Sequence, residues 1–233
     1  MRLIIKFESL SNISYDAIGK YDILGFIYNV LNETDLRIYH SIKGFKFFTF
    51  SNIFPVSEFK KGTTKTLIIS SANDTFINVM ADYLNNIGEI RLNKFIFNLI
   101  KVNTIKTKVT SKIITGTPIC LFEDNIKNKY YSFNSHPDFN FFFERLKDNS
   151  LKKFNAFYNT DFNLDDNLFS NFSFKREVAI RLNKKGNKFI IIGSLWNSLE
   201  FNLNKNNRDF YQFLFDVGFG EKNSLGFGFV NKK

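Results

Sequence analysis

The spacing of hydrophobic and polar positions predicts alternating strands and helices in the first half of the chain. Residues 2–8 form a short apolar run bounded by polar residues, which is typical of a strand. Between Tyr21 and Leu31 the apolar residues recur at helical spacing, and Asn73 is suited to cap a second helix that ends near Leu84. Further strands are predicted at 46–53, 65–71 and 90–102, and a shorter helix at 34–42.

The main elements follow the order strand, helix, strand, strand, helix, strand, which is the split βαββαβ pattern. The second half predicts a looser copy, with strands at 109–122, 173–182, 188–202 and 226–230 and helices at 137–157 and 209–217. We therefore expect an α+β fold of two tandem ferredoxin-like (RRM-like, βαββαβ) domains. Their predicted bounds are 1–107 and 108–233.

Charge and composition narrow the function classes. The 233 residues include 32 Lys and Arg against 22 Asp and Glu, and the net charge of +10 favours a polyanionic partner, above all nucleic acid. The single cysteine, Cys120, excludes an internal disulfide and a zinc site built from several cysteines, and we expect no metal or other cofactor. The apolar run at the start is too short for a signal peptide, so we expect a soluble cytoplasmic protein with no membrane partner.

A glycine-rich motif, GFGEKNSLGFG, is the most specific feature of the sequence. Its glycines are Gly218, Gly220, Gly226 and Gly228, and Lys222 lies between the two pairs. Glycines allow positive φ and a close approach of the backbone to a ligand. Successive free N–H groups could then hold a phosphate, to which Lys222 would add charge. The alternative, a merely tight turn, usually needs one or two glycines rather than four.

This motif resembles the glycine-rich signature of the CRISPR-associated repeat-processing endoribonucleases, which are part of the wider RAMP group. Residues 22–54 resemble the first helix, the histidine-bearing segment and the following strand of the archaeal-type members, and 117–119 resemble the start of their second domain. Residues 124–172 carry no part of the resemblance. The resemblance implies two tandem ferredoxin-like domains. It also implies metal-independent cleavage of CRISPR repeat RNA, which turns precursor transcripts into guide RNAs.

The same resemblance implies three catalytic residues, Tyr28, His40 and Lys46. In the implied reaction the ribose 2′-OH attacks the scissile phosphate and leaves a 2′,3′-cyclic phosphate and a 5′-OH. Tyr28 would act as base, His40 as acid and Lys46 as electrostatic stabiliser, and the sequence does not distinguish this from an exchange of the first two roles. Each residue has an alternative: His40 as a surface or capping residue, Tyr28 as a border of the core, and Lys43 in place of Lys46.

Basic residues between 175 and 188 suggest further contacts with RNA. Lys175, Arg176 and Arg181 fall on a predicted strand with a single acid, Glu177, among them. Cations at alternate strand positions would form a stripe suited to a phosphate backbone, although solvated faces can look the same. Trp196 is expected in the core rather than on a base-stacking surface.

Two other functions stay open at this point. One is a non-catalytic RAMP-type subunit that holds repeat or guide RNA, and the other is a basic tandem ferredoxin-like protein with a different ligand. The presence of His40 favours the enzyme. We expect CRISPR repeat RNA as the partner and a guide-RNA effector complex as a further candidate partner, with monomer and homodimer both open.

Overall fold

The computed structural model describes residues 1–37, 44–184 and 186–233. The chain forms two compact units. The first contains Met1–Thr107 and Ser224–Gly226, and the second contains Lys108–Asn223 and Phe227–Lys233. None of the helices within the described ranges has the length and the apolar composition needed to cross a membrane.

Two helices of the first unit form where the apolar spacing predicts them. Helix α1 spans Lys20–Asn32 and helix α2 spans Asp74–Asn85. Asn73 caps α2, because its side-chain oxygen accepts a 3.2 Å hydrogen bond from the N–H of Phe76. The predicted apolar stripes are the buried faces of both helices, so these predictions are confirmed. The short helix predicted at 34–42 falls largely on residues outside the described ranges.

The first unit has one antiparallel sheet of five strands. These are β1 (Arg2–Ser9), β2 (Phe48–Phe50), β3 (Thr64–Ser71), β4 (Glu89–Leu92) and β5 (Phe95–Ile105), in the order β2-β3-β1-β5-β4. Along β1, alternate side chains are fully buried in the core, namely Leu3, Ile5 and Phe7. The residues between them therefore point to the opposite face of the sheet.

The single closing strand predicted at 90–102 is wrong, because this segment folds as the hairpin of β4 and β5. Leu92 pairs with Phe95 across a two-residue turn in which Asn93 has a φ of 57°. Asparagine tolerates this left-handed conformation better than most residues. The apolar residues on both sides of the turn read as one continuous strand in the sequence. With β4 added at the edge, the remaining order β2-β3-β1-β5 is that of a ferredoxin-like domain.

The second unit repeats this topology. Its sheet has the order β11-β6-β10-β9, and helices α3 (Phe139–Tyr158) and α4 (Arg208–Val217) make the two crossovers. The strands are β6 (Lys112–Thr115), β9 (Asn171–Lys184), β10 (Asn187–Glu200) and β11 (Val230–Lys232), and a separate hairpin contains β7 (Phe122–Asp124) and β8 (Lys129–Tyr130). The predicted strand at 109–122 is too long, and the one predicted at 226–230 is displaced, because it shares only Val230 with β11. The predicted fold class, α+β with two tandem ferredoxin-like domains, is confirmed.

Aromatic packing explains much of the phenylalanine content of the second unit. Trp196 is fully buried, and six phenylalanine rings lie within 6.0 Å of its ring centre: Phe133, Phe139, Phe142, Phe143, Phe172 and Phe174. Such offset and edge-to-face pairs stabilise a core beyond their buried area. The prediction that Trp196 belongs to the core is confirmed.

Candidate active site and RNA-binding residues

Tyr28 lies in the second half of α1, and its ring packs against the start of β2. The ring is half-buried and meets the ring of Phe48 edge to face, with 6.5 Å between the centres. Phe48 is fully buried and stacks on Phe76 at 5.1 Å. Burial raises the pKa of the Tyr28 phenol above its ordinary value. At neutral pH the phenol therefore holds its proton.

Lys46 precedes β2 by two residues. Its side chain is half-buried, and this burial lowers the pKa of the ammonium below its ordinary value. The backbone beside it is anchored, because the hydroxyl of Ser71 donates a 2.8 Å hydrogen bond to the carbonyl oxygen of Phe47. Tyr28 and Lys46 thus both belong to the first unit and approach the same end of β2. His40 belongs to residues 38–43, which are outside the described ranges.

Five backbone N–H groups of the glycine-rich motif donate hydrogen bonds within the protein. Those of Gly218 and Gly228 donate to the carbonyl oxygens of Leu214 and Pro118, at 2.8 and 2.7 Å. Three more N–H groups of the motif, of Phe219, Glu221 and Phe227, donate to other protein oxygens, and so does that of Phe229 just after the motif. These five N–H groups are therefore not free to cradle a phosphate, and a phosphate cradle at the remaining positions of the motif stays a prediction. A role of the four glycines in RNA binding stays a prediction, and it depends on the shape that they give the loop.

Packing explains why two of these positions require glycine. Gly220 and Gly228 both have a φ of 70°, which lies in the left-handed region. A Cβ atom on Gly220 would lie 2.5 Å from the carbonyl oxygen of Cys120. A Cβ atom on Gly228 would collide with the carbonyl oxygen of Phe219 and would lie 2.8 Å from the amide nitrogen of Asn223. Both the backbone conformation and the available space therefore exclude a side chain.

Lys153 of α3 anchors this loop through hydrogen bonds, and this role was not predicted from the sequence. It is only 2% exposed, and its Nζ donates to the carbonyl oxygens of Gly218 and Gly220 and to Oδ1 of Asn223, at 2.6, 3.0 and 3.0 Å. Burial lowers the pKa of Lys153 to about 7, while the charge of Glu221 acts in the opposite direction. Lys153 lies on the same buried face of α3 as Leu146 and Phe154. A lysine among apolar positions of a helix was the sequence signal that could have predicted this role.

Lys222 is the exposed residue of this loop. It has a φ of 56°, and its ammonium lies 5.0 Å from the ring centre of Phe122. The carboxylate of Glu221 accepts a 3.3 Å hydrogen bond from the N–H of Phe122, and burial raises its pKa. Glu221 is thus directed inward and Lys222 outward.

Gly226 belongs to the first unit, where its carbonyl oxygen accepts a 2.7 Å hydrogen bond from Lys20.

The three predicted cations of β9 are all exposed on the second unit. These are Lys175, Arg176 and Arg181. Beside Arg181, a cavity of about 510 Å³ is lined by residues of both strands of the β9–β10 hairpin: Arg181, Leu182, Asn183, Lys188, Phe189 and Ile190. Cations and an aromatic ring at one cavity suit a phosphate and a base.

Within the ranges that the structure describes, no three His, Cys, Asp or Glu side chains come together as metal ligands.

Comparisons with known proteins agree along the whole chain. The family model described as CRISPR associated protein Cas6, C-terminal, matches residues 99–232. The CRISPR-associated endoribonuclease Cas6 2 of Methanocaldococcus jannaschii is 41% identical over 238 aligned positions, which cover 99% of each chain.

Solved structures give the same result at the level of the fold. One described as CRISPR associated protein Cas6 superposes with a TM-score of 0.73 and 27% identity, over 100% of this chain and 99% of that one. A Cas6-related protein from Pyrococcus furiosus superposes with a TM-score of 0.75 and 22% identity, over 100% and 98% of the two chains. By sequence along its full length and by fold, this chain belongs to the Cas6 family of CRISPR-associated proteins.

Proposed function

We propose that this chain is a metal-independent endoribonuclease that cuts CRISPR repeat RNA in precursor transcripts and so produces guide RNAs. The observation that carries the proposal is the 41% identity, over 99% of both chains, to a protein named as a CRISPR-associated endoribonuclease. A cytoplasmic location and a role beside a guide-RNA effector complex belong to the same proposal.

The reaction needs no external nucleophile. The 2′-OH upstream of the scissile phosphate attacks phosphorus, the bond to the 5′-oxygen breaks, and the products carry a 2′,3′-cyclic phosphate and a 5′-OH. A base must take the proton of the 2′-OH, and an acid must supply one to the leaving 5′-oxygen. A cation must stabilise the additional charge on the phosphate during the reaction.

Tyr28, His40 and Lys46 supply these three groups in the proposal. The raised pKa of Tyr28 favours the exchanged assignment, because a phenol that keeps its proton is a donor rather than a base. His40 then acts as base, since an imidazole titrates near neutral pH. The half-buried Lys46 suits the stabilising role, because a charge acts more strongly on a phosphate where less water screens it.

The RNA-positioning part of the proposal falls on the second unit. Lys222 is the exposed cation of the glycine-rich loop, and its backbone is held in a left-handed conformation beside Phe122. Lys175, Arg176 and Arg181 are exposed on β9, and Arg181 also lines the cavity described above. Contacts of this kind attach the phosphate backbone and set its position without reading its sequence.

The test is a cleavage assay with repeat RNA in the presence of a chelator, followed by mapping of both new ends. We expect a 2′,3′-cyclic phosphate and a 5′-OH. A substrate with 2′-deoxyribose at the scissile position should bind and remain intact. Cleavage of the deoxy substrate would show that water is the nucleophile. Binding of repeat RNA without any cleavage would instead identify a non-catalytic RNA-binding subunit.

A further inference from the structure

Two lysines lie directly opposite each other in the sheet of the first unit. Lys6 of β1 pairs with Lys101 of β5 in the antiparallel register. Both are exposed, and neither forms an ion pair or a side-chain hydrogen bond within the described part of the chain. Because Ile5 and Phe7 point into the core, Lys6 projects from the opposite, open face of the sheet.

This arrangement costs stability. Directly opposite residues of an antiparallel pair have Cβ atoms about 5 Å apart, and like charges at such positions repel each other. Neither lysine belongs to the hydrophobic core, to which β1 contributes Leu3, Ile5 and Phe7. The only carboxylate on the same face of β1 is that of Glu8, which is opposite Asn98 and forms no ion pair with either lysine. An anion bound between the two ammonium groups would remove the repulsion.

The surroundings of the pair suit a nucleic acid backbone. On its other side, Lys6 pairs with Thr66 of β3, so that a hydroxyl and two ammonium groups form one row across three strands. A β-bulge next to Lys101 leaves Ile100 without a partner, and its side chain is 51% exposed. Bulges redirect side chains at functional positions. A phosphate at the lysines would thus have an apolar surface beside it for the sugar or the base.

We propose that Lys6 and Lys101 form a phosphate-binding site for single-stranded RNA on the open face of the first-unit sheet. The site rests on the proposed function, because it extends the path of the RNA substrate to a surface that bears none of the implied catalytic or RNA-binding residues. The ammonium groups contact the nonbridging oxygens of a phosphodiester. No bond is made or broken there.

The test measures RNA affinity and protein stability in the same variants. Lys6→Gln and Lys101→Gln remove one charge each, Lys101→Arg keeps it, and Lys61→Gln removes a charge from an exposed turn of the same unit. The probe is a fluorescein-labelled oligouridylate, and fluorescence anisotropy is recorded over a range of salt concentrations. The slope of log affinity against log salt is negative, and we expect it to become shallower by about 0.7 in Lys6→Gln and in Lys101→Gln. It should stay at the wild-type value in Lys101→Arg and Lys61→Gln.

Thermal unfolding separates this role from a structural one. If the lysines repel each other, Lys6→Gln and Lys101→Gln unfold at the wild-type temperature or above it. Wild-type salt slopes in both variants would overturn the proposal, as would a lower unfolding temperature or no binding of the probe by the wild type. Cleavage of repeat RNA by the wild type is measured separately. Wild-type slopes with intact cleavage would reject only this site, and reduced slopes without cleavage would reject only the nuclease.

Discussion

The Nζ of Lys153 donates a 2.6 Å hydrogen bond to the carbonyl oxygen of Gly218, which lies 65 residues further along the chain. The same atom donates to Gly220 and Asn223, and the amide of Asn223 donates in turn to the carbonyl oxygens of Phe219 and Phe227, both at 3.0 Å. One buried lysine and one amide therefore connect the two Gly-Phe-Gly turns. The shape of the loop that presents Lys222 depends on this pair.

Lys153 should make stability depend on pH above neutrality. Its pKa is lowered to about 7 in the folded protein, against 10.5 when unperturbed. Between these values the folded state has released a proton that the unfolded state still binds. The free energy of unfolding should therefore rise with pH by about 1.4 kcal/mol per pH unit from this group, and the effect is absent below pH 7.

Urea unfolding at several pH values measures this contribution. In Lys153→Met the pH-dependent rise should become smaller by that amount. Lys152→Met is the matched control, because Lys152 is the exposed neighbour on the same helix and forms a surface ion pair with Asp148. Equal pH slopes in Lys153→Met and the wild type would contradict the assignment of the proton to Lys153.

Gly228→Ala should destabilise the protein strongly. The added Cβ would overlap with the carbonyl oxygen of Phe219, and the backbone of Gly228 has a φ of 70° that a side chain strains. Steric overlap therefore adds to backbone strain. We expect a loss of roughly 3 kcal/mol in the free energy of unfolding. Gly186→Ala separates the two causes, because Gly186 has a φ of 87° and, apart from its chain neighbours, no atom of the described residues lies within 4 Å of the added Cβ. This control should lose only about 1 kcal/mol, and equal losses would show that strain alone decides.

His40→Ala should abolish most of the cleavage and leave binding intact. Removal of a general acid or base typically lowers the rate by about 10²–10⁴-fold. Single-turnover cleavage at saturating protein measures this rate, and the affinity for the uncleavable deoxy substrate should change little. His136→Ala is the control, since it removes the other histidine of the chain. A wild-type rate in His40→Ala would move the proton transfer to other residues, with Tyr28 the first to examine.

The pH dependence of the cleavage rate should reveal which way His40 moves its proton. If His40 is the base and Tyr28 the donor, the rate rises with pH through the neutral range, because an imidazole can accept the proton only in its neutral form. Tyr28→Phe should then lower the rate at every pH and keep the rise. A rate that falls with pH across this range would identify His40 as the acid and Tyr28 as the base.

Lys222→Ala should weaken RNA binding in a way that depends on salt. Loss of one lysine–phosphate contact makes the negative slope of log affinity against log salt shallower by about 0.7 on single strands. Cleavage at saturating protein should persist, because Lys222 takes no part in the chemistry of the proposal. Lys205→Ala, an exposed lysine in another turn of the same unit, should leave the slope unchanged. Identical slopes in wild type and Lys222→Ala would reject a phosphate contact at Lys222.

Elements with a local signal were predictable. The stripes of α1 and α2 and the cap at Asn73 depend on residues a few positions apart, so the sequence contains all that these helices need. The order of strands and helices followed from the same patterns, and with it the ferredoxin-like topology of both units. The hairpin of β4 and β5 was missed because its turn has Asn93 as its main signal.

By itself, the sequence determined the two βαββαβ units, the basic character and the resemblance that identified Tyr28, His40 and Lys46 as candidates. Only the tertiary structure decided what the glycine-rich motif does with its backbone, because its partners come from distant segments. The N–H of Gly228 is taken by Pro118, and the carbonyl of Gly218 by Lys153. The pairing of Lys6 with Lys101 was likewise invisible, because strand register is set by long-range hydrogen bonds and not by spacing along the chain.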